Sequence, residues 1–190
     1  LLEAMEEQQV SVEGVTMQLP DPYIVIATQN PLEYQGVFPL PEAQLDRFSV
    51  KINANYLAKD MEVQMLKLDN IDLKTLKPIM SQEDILWLRN KISKVYVSDP
   101  LLDYTVNLIH SIRLNPNTSY GPSPRTTKGL LRLAKVKALR RKRTFVIPDD
   151  IIEMFKSAIS HRFFLSSQAK FEGVGKDQIM TEALKQVELP

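Results

Sequence analysis

The sequence of 190 residues contains no cysteine, which excludes disulfide bonds, thiol catalysis and thiolate metal sites. Its two histidines, His110 and His161, are too far apart in sequence for a metal site with several histidine ligands. No run approaches the ~18 uncharged apolar residues of a membrane helix. With 44% hydrophobic residues and a net charge of +1, the composition is that of a globular protein. We therefore expect no membrane insertion, and the lack of cysteine favours a cytoplasmic location.

The charge is divided unequally along the chain. Residues 1–62 carry ten acidic and three basic residues, whereas residues 63–190 carry thirteen acidic and twenty-one basic ones. Such a split is typical of two units with different partners. We expect a boundary near residues 53–56, where a strand-like run ends, and hence two units, residues 1–55 and 56–190.

The first unit has the pattern of an α/β segment. The chain opens at Leu1 in what reads as the end of an amphipathic helix, so we expect it to be part of a longer protein. Residues 10–17 alternate about a Glu-Gly turn, which predicts a hairpin. The run Tyr23–Ala27 has the composition of a strand buried on both faces of a parallel sheet. Asn30 then lies at the carboxyl end of that strand, the edge where such sheets bind ligands.

The second unit has helical patterning, and we expect four or five helices in it. Helix starts are predicted by Ser81 with Asp84, by Pro100, by Ser123-Pro124 and by Pro148. Together the two units predict a sheet fragment joined to a helical bundle.

Three residues are candidates for phosphate chemistry, each with a simpler alternative. The Asn30 amide could orient a water or a phosphate oxygen, or satisfy its own turn. Arg47 follows a loop pinned by two prolines and could stabilise a transferring phosphoryl group, or form an internal ion pair. Arg125 lies in the first turn after Ser123-Pro124, where anions are favoured, or is a solvated charge.

A basic run follows Arg125, with no acidic residue before Asp149. The run interleaves with aliphatic rather than aromatic residues, so we interpret it as a solvated helix face, with a polyanion site as the alternative. We expect His161 and Arg162 to cap the end of the last clear helix, where positive charge is favoured.

Five segments of the chain together resemble the MoxR family of AAA+ ATPases. They are LLEAME at 1–6, QVSVEGVTMQL at 9–19, VIATQNP at 25–31, FPLPEAQLDRF at 38–48 and GPSPR at 121–125. The resemblance implies the C-terminal part of an AAA+ P-loop NTPase αβα core, followed by an all-α lid domain.

The resemblance also implies roles for the three candidates. Asn30 resembles sensor 1, which orients the attacking water. Arg47 resembles the arginine finger, which reaches into the nucleotide of a neighbouring subunit. Arg125 resembles the sensor 2 arginine of the lid, and whether it would serve its own nucleotide or a neighbour's is left open. The hairpin at residues 10–18 resembles the pre-sensor-1 insertion.

Two motifs of the family are missing from this sequence. It has no Gly-x-x-x-x-Gly-Lys-Ser/Thr loop and no acidic Walker B strand, which in the family precede the position of Leu1. The resemblance therefore implies that the parent protein binds ATP and Mg²⁺ and hydrolyses ATP. We expect this chain alone to be inactive, with no metal ligands of its own.

The resemblance implies a ring, expected to be a hexamer, with chaperone-like action on a protein complex. A protein with a von Willebrand factor A domain is the implied partner. Two alternatives stay open from the sequence: a basic helical module that binds nucleic acid, and a protein-interaction adaptor without a nucleotide role.

Overall fold

The computed structural model describes residues 2–29, 40–67 and 76–190. Within these ranges the chain forms nine helices and four short strands. In chain order the elements are α1 (Leu2–Glu7), β1 (Gln9–Val12), β2 (Val15–Gln18), α2 (Glu42–Leu45), α3 (Lys59–Lys67), α4 (Gln82–Ser93), α5 (Asp99–Leu114), β3 (Thr118–Tyr120), α6 (Pro124–Arg140), α7 (Pro148–Ile159), β4 (Phe164–Leu165), α8 (Ser167–Phe171) and α9 (Lys176–Gln186).

The predicted hairpin is confirmed. Strands β1 and β2 pair antiparallel, with Val12 opposite Val15. The connecting residues Glu13 and Gly14 both have positive φ, of 51° and 82°. Two successive residues with positive φ give the turn twist that suits adjacent antiparallel strands. A bond of 2.6 Å from the Ser11 hydroxyl to the carboxylate of Glu3 ties the hairpin to α1.

The predicted strand at Tyr23–Ala27 is wrong for this chain, because these residues form no strand. Ile24 and Ile26 are 76% and 84% exposed rather than buried. A strand of a parallel sheet forms only against neighbouring strands. Among the described residues, both sheets are separate antiparallel pairs, so this run has no partner strand there.

The core of the molecule lies in the helical unit. Helix α5 buries six residues three or four positions apart, which is the spacing of one helix face. Helices α6, α7 and α9 pack around it, as the core cluster contains residues from all four. The largest completely buried side chains of these helices are Leu108, Ile109, Ile112, Leu130, Ile151, Phe155 and Ile159, and Phe163, between α7 and β4, is buried with them. This packed bundle gives the first turn of α6 and the end of α7 a rigid support.

The predicted helix starts are confirmed, but the predicted number of helices is wrong. Ser81 and Asp84 form a reciprocal capping box at the start of α4. Proline occupies an early position in α5, α6 and α7, where its missing N–H is not needed. The described part of the second unit has seven helices, α3 to α9, instead of four or five. Gly175, which precedes α9, provides no side-chain cap, so the start of this helix carries little sequence signal.

The segment after α2 lies against the helical unit. The backbone N–H of Lys51 donates to the carbonyl of Ser157 in α7 at 2.9 Å. Asp46 and Phe48 also form hydrogen bonds with residues of the helical unit. These contacts bring Arg47, between them, next to the beginning of α6. Across the described ranges, we find no helix with the length and apolar character needed to cross a membrane.

Candidate functional site

Arg47 lies directly after the single turn of α2. Its backbone N–H donates to the carbonyl of Gln44 at 3.2 Å, so the turn continues to Arg47. The guanidinium forms an ion pair with Glu6 at the end of α1. The predicted alternative of an internal ion pair therefore describes Arg47 in this structure. The side chain is only 19% exposed, and Nε and Nη1 of its guanidinium are buried.

Arg125 is placed by the turn that leads into α6. A Cβ at Gly121 would lie 2.7 Å from Cγ of Arg113, so only glycine allows α5 and this turn to approach so closely. Arg113 also donates through Nε to the carbonyl of Pro122 at 2.7 Å. Pro124 then starts the helix, and Arg125 occupies its first turn. Nη2 of Arg125 lies 3.9 Å from the same Glu6 oxygen that pairs with Arg47.

Arg47 and Arg125 line one cleft, with a volume of about 610 Å³. Of the described residues that line this cleft, five are cationic and one, Glu6, is acidic. The cationic residues are Arg47, Arg125, Lys128, Arg132 and Arg162. A concave surface with this charge favours an anion, and guanidinium groups suit phosphate in particular. The cleft can therefore receive a phosphate group or another compact anion.

Asp46, the residue before Arg47, is bound by the first turn of α6. Its carboxylate accepts hydrogen bonds from the hydroxyl of Ser123 at 2.7 Å and from that of Thr126 at 3.1 Å. Helix α6 has no acidic residue of its own in the first turn. Asp46 thus supplies the negative charge that a helix N-terminus favours.

Phe48, the residue after Arg47, is bound through its carbonyl oxygen. His161 Nε2 donates to this oxygen at 2.7 Å, and Nη2 of Arg162 donates to it at 2.6 Å. Both donors are buried, at 5% and 3% exposure. The prediction that His161 and Arg162 cap the end of a helix is wrong, because both side chains donate instead to the carbonyl of Phe48, which is distant in sequence.

The surroundings of His161 and Arg162 disfavour the positively charged forms of these two side chains. Burial lowers the pKa of His161, although its hydrogen bond to Phe48 acts in the opposite direction. Burial also lowers the pKa of Arg162; Asp46 opposes this shift and Arg125 adds to it. Within the described part of the chain, Nε and Nη1 of Arg162 have no hydrogen-bond partner. The Arg162 side chain therefore carries a buried charge that its neighbours only partly compensate.

The basic run of α6 divides into two parts. Towards the end of the run, Lys137 and Arg141 pair with Glu153 of α7, and Arg143 binds Asp150 through two hydrogen bonds. Closer to the start, Lys128 and Arg132 line the cleft instead. Acidic residues of α7 thus pair with three of the eight basic residues that the nucleic-acid alternative would use.

The structure brings together two of the three predicted site residues. Arg47 and Arg125 share the cleft, whereas Asn30 lies outside the described residues. Over the described ranges, no group of three or more His, Cys, Asp or Glu side chains is arranged to hold a metal ion.

Sequence reasoning gave no functional role to four residues of this site. No local sequence pattern marks Glu6 or Asp46 as a site residue; both lie in segments quoted only for the family resemblance. For His161 and Arg162, the sequence predicts a helix cap instead. Gly129 is a further sequence signal for this site. Glycine is unfavourable inside a helix, so its presence there indicates that another group needs the space.

Comparisons with known proteins agree with this architecture. Residues 1–50 match the ATPase family associated with various cellular activities (AAA), and residues 110–183 match the AAA lid domain. Over its whole length the chain is 41% identical to the uncharacterized protein YeaC of Bacillus subtilis, covering 60% of that protein. It is 36% identical to the chaperone MoxR1 of Mycobacterium tuberculosis, covering 53% of that relative.

A solved structure supports the same assignment. The crystal structure of a putative ATPase from Cytophaga hutchinsonii superposes with a TM-score of 0.91 at 36% identity, covering all of this chain and 61% of the other. The chain therefore has the AAA+ fold with its lid domain. It spans only 53% to 60% of the length of these two curated relatives.

Proposed function

Because the chain belongs to the MoxR family of AAA+ ATPases, we propose that it forms the arginine-bearing face of an ATPase subunit. This face presents Arg47 and Arg125 together to the ATP of a neighbouring subunit in a ring. Arg47 acts as the arginine finger, which stabilises the charge of the transferring phosphoryl group. Arg125 acts as sensor 2 on the same phosphates.

One observation carries this proposal: Arg47 and Arg125 lie in a single cleft and approach the same carboxylate oxygen of Glu6. Two arginines so close together can contact the phosphates of one nucleotide. If Arg47 reaches into a neighbouring subunit, Arg125 must reach into the same site. We therefore propose that Arg125 serves the neighbour's nucleotide and not the nucleotide of its own subunit.

Several parts of the proposal extend beyond the described residues. Asn30 is assigned to sensor 1, where its amide orients the attacking water. ATP and Mg²⁺ bind to the parts of the protein that hold the phosphate loop and the Walker B acid, since this sequence has neither. We place the boundary between core and lid near residue 55, and the hairpin of β1 and β2 at the pre-sensor-1 position.

At the level of the whole protein, we propose a hexameric ring that uses hydrolysis to assemble or activate a protein complex. We also propose that its partner has a von Willebrand factor A domain and that the protein is cytoplasmic. Co-purification of the tagged full-length protein from its own host tests both the partner and the location.

The experiment on the site uses the full-length ATPase with Arg47→Ala, Arg125→Ala and, as a matched control, Arg140→Ala. Arg140 is exposed at the far end of α6. We expect both site variants to bind Mg-ATP in calorimetry and to lose hydrolysis. For Arg47→Ala the loss should be about 10³-fold or more, as for other arginine fingers. Hydrolysis at the control rate by either variant would remove that arginine from the proposed role.

A further inference from the structure

The backbone that carries Arg47 is held on both sides by the lid. On one side, Ser123 and Thr126 of α6 bind the carboxylate of Asp46. On the other side, His161 and Arg162, which lie just beyond α7, bind the carbonyl of Phe48. We call these six residues the Arg47 clamp. Its geometry fixes the backbone at Arg47 relative to the start of α6, where Arg125 lies.

Arg162 is the only member of the Arg47 clamp that reaches both sides. Its Nη2 donates to the carbonyl of Phe48, while its Nε lies 3.8 Å from the carboxylate of Asp46. The guanidinium is planar and rigid, so it can set the spacing between these two groups. Lysine would offer a single charged point and could not span them.

Stability alone does not account for Arg162. Its side chain is 2% exposed, and among the described residues two of its nitrogens have no hydrogen-bond partner. A buried charge with incomplete pairing is costly, and apolar residues often replace such groups without loss of stability. The arrangement of Arg162 is instead explained by what it holds and by the cleft that it lines.

Gly129 supports this interpretation from the opposite side. A Cβ at Gly129 would lie 3.1 Å from Nη1 of Arg162, so the absence of a side chain in the middle of α6 leaves space for the guanidinium. Glycine inside a helix is otherwise unfavourable. The helix thus accepts a poor helix former where Arg162 passes.

We propose that Arg162 is a positioning residue for Arg47, and that it couples the position of the lid to that of the arginine finger. This inference rests on the proposed function of Arg47. Through Arg162, any displacement of α6 and α7 moves Arg47 and Arg125 together, so the two arginines approach a neighbouring nucleotide as one unit.

The experiment measures steady-state ATP hydrolysis by the full-length ATPase with Arg162→Gln, Arg162→Lys and, as a matched control, Arg140→Gln. A misplacement of about 1 Å at a catalytic group can cost about 10²-fold in rate. We expect Arg162→Gln and Arg162→Lys to lower kcat by about that factor, with KM for ATP within about threefold of the parent value. Arg140→Gln should match the parent.

A second variant separates positioning from folding. Gly129→Ala improves the helix propensity of α6, which opposes the cost of the closer contact with Arg162, so the variant should stay folded. Its added methyl group displaces the guanidinium of Arg162, and we expect kcat to fall. A Gly129→Ala protein with full kcat would overturn the proposal even if Arg162→Gln does not fold.

An Arg47→Lys background shows whether Arg162 acts through Arg47. Where the contact of Arg47 is already impaired, Arg162→Gln should lower kcat by less than about threefold. Equal losses in both backgrounds would refute the coupling. If Arg47→Ala leaves hydrolysis intact, the proposed function itself fails; if only the Arg162 variants match the control, the positioning role alone fails.

Discussion

The perturbation Asp150→Ala tests how the basic segment that follows α6 is held to α7. Asp150 is completely buried. Its carboxylate accepts hydrogen bonds from Nη1 and Nη2 of Arg143 at 2.8 and 2.6 Å, and from the backbone N–H of Ile147 at 3.0 Å. Burial acts to raise the pKa of Asp150, but the bonds from Arg143 and Ile147 outweigh it, so the pKa is lowered. The carboxylate is therefore ionised and stabilised in the folded chain.

The expected cost can be worked out from these contacts. Removing one partner of a buried ion pair costs about 3–5 kcal/mol. Arg143 keeps 20% of its side chain exposed and can regain water, which places the loss near the lower end, at about 3 kcal/mol. For a chain of this size, that corresponds to a decrease in the thermal midpoint of about 6–12 °C.

The assay is thermal and urea unfolding monitored by circular dichroism, with Asp149→Ala as the matched control. Asp149 occupies the same first turn of α7 but is exposed. The control should lose only its interaction with the helix N-terminus, about 0.3–1 kcal/mol. The reasoning is refuted if Asp150→Ala and Asp149→Ala shift the midpoint by the same amount.

Three further predictions concern the lid. Because burial lowers the pKa of His161, the unfolded chain takes up a proton first as the pH falls below about 6.5. The free energy of unfolding should decrease over that range, and a His161→Gln variant with the same pH dependence would contradict this expectation. Burial also lowers the pKa of Lys176 to about 8, so the folded state loses its proton before the unfolded state does. Stability should therefore increase as the pH rises from about 8 towards 10, and Lys176→Met should remove that increase in urea titrations. Finally, Gly121→Ala should lower the free energy of unfolding by about 1–3 kcal/mol, as for other overpacked sites, because the methyl group clashes with Arg113. An unchanged unfolding midpoint would show that the turn adjusts freely.

The parts of the fold that the sequence predicts correctly depend on neighbouring residues. The capping box at Ser81 and Asp84 and the prolines that begin α5, α6 and α7 act within one helical turn. The hairpin likewise depends on a two-residue turn. In each case the residues that determine the structure lie within a few positions of one another in the sequence, so a local sequence pattern predicts it.

The errors arise where distant residues decide. The apolar run Tyr23–Ala27 has strand composition, but a parallel strand needs partners that local sequence does not provide. His161 and Arg162 have the composition of a helix C-terminal cap, yet they bind Phe48, more than a hundred residues earlier. Their roles depend on how the two units pack together.

The site shows the same division. Arg47 and Arg125 could be identified separately, one from its proline-pinned loop and the other from its helix start. That they share a cleft and approach one Glu6 oxygen could not be predicted, because three distant segments must meet there. The mid-helix position of Gly129 was the available sign that α6 makes room for another group.

The most direct test of the central claim mixes subunits of the full-length ATPase that carry Arg47→Ala with subunits that carry Arg125→Ala. If both arginines of one subunit serve the same neighbouring nucleotide, every interface in the mixed ring lacks one of them, and hydrolysis stays abolished. Restored hydrolysis would contradict the account, since it requires Arg125 to act on its own subunit's nucleotide while Arg47 acts on the neighbour's. Mixing Arg47→Ala subunits with subunits that lack the phosphate-loop lysine should restore hydrolysis in either case, which shows that mixed rings form.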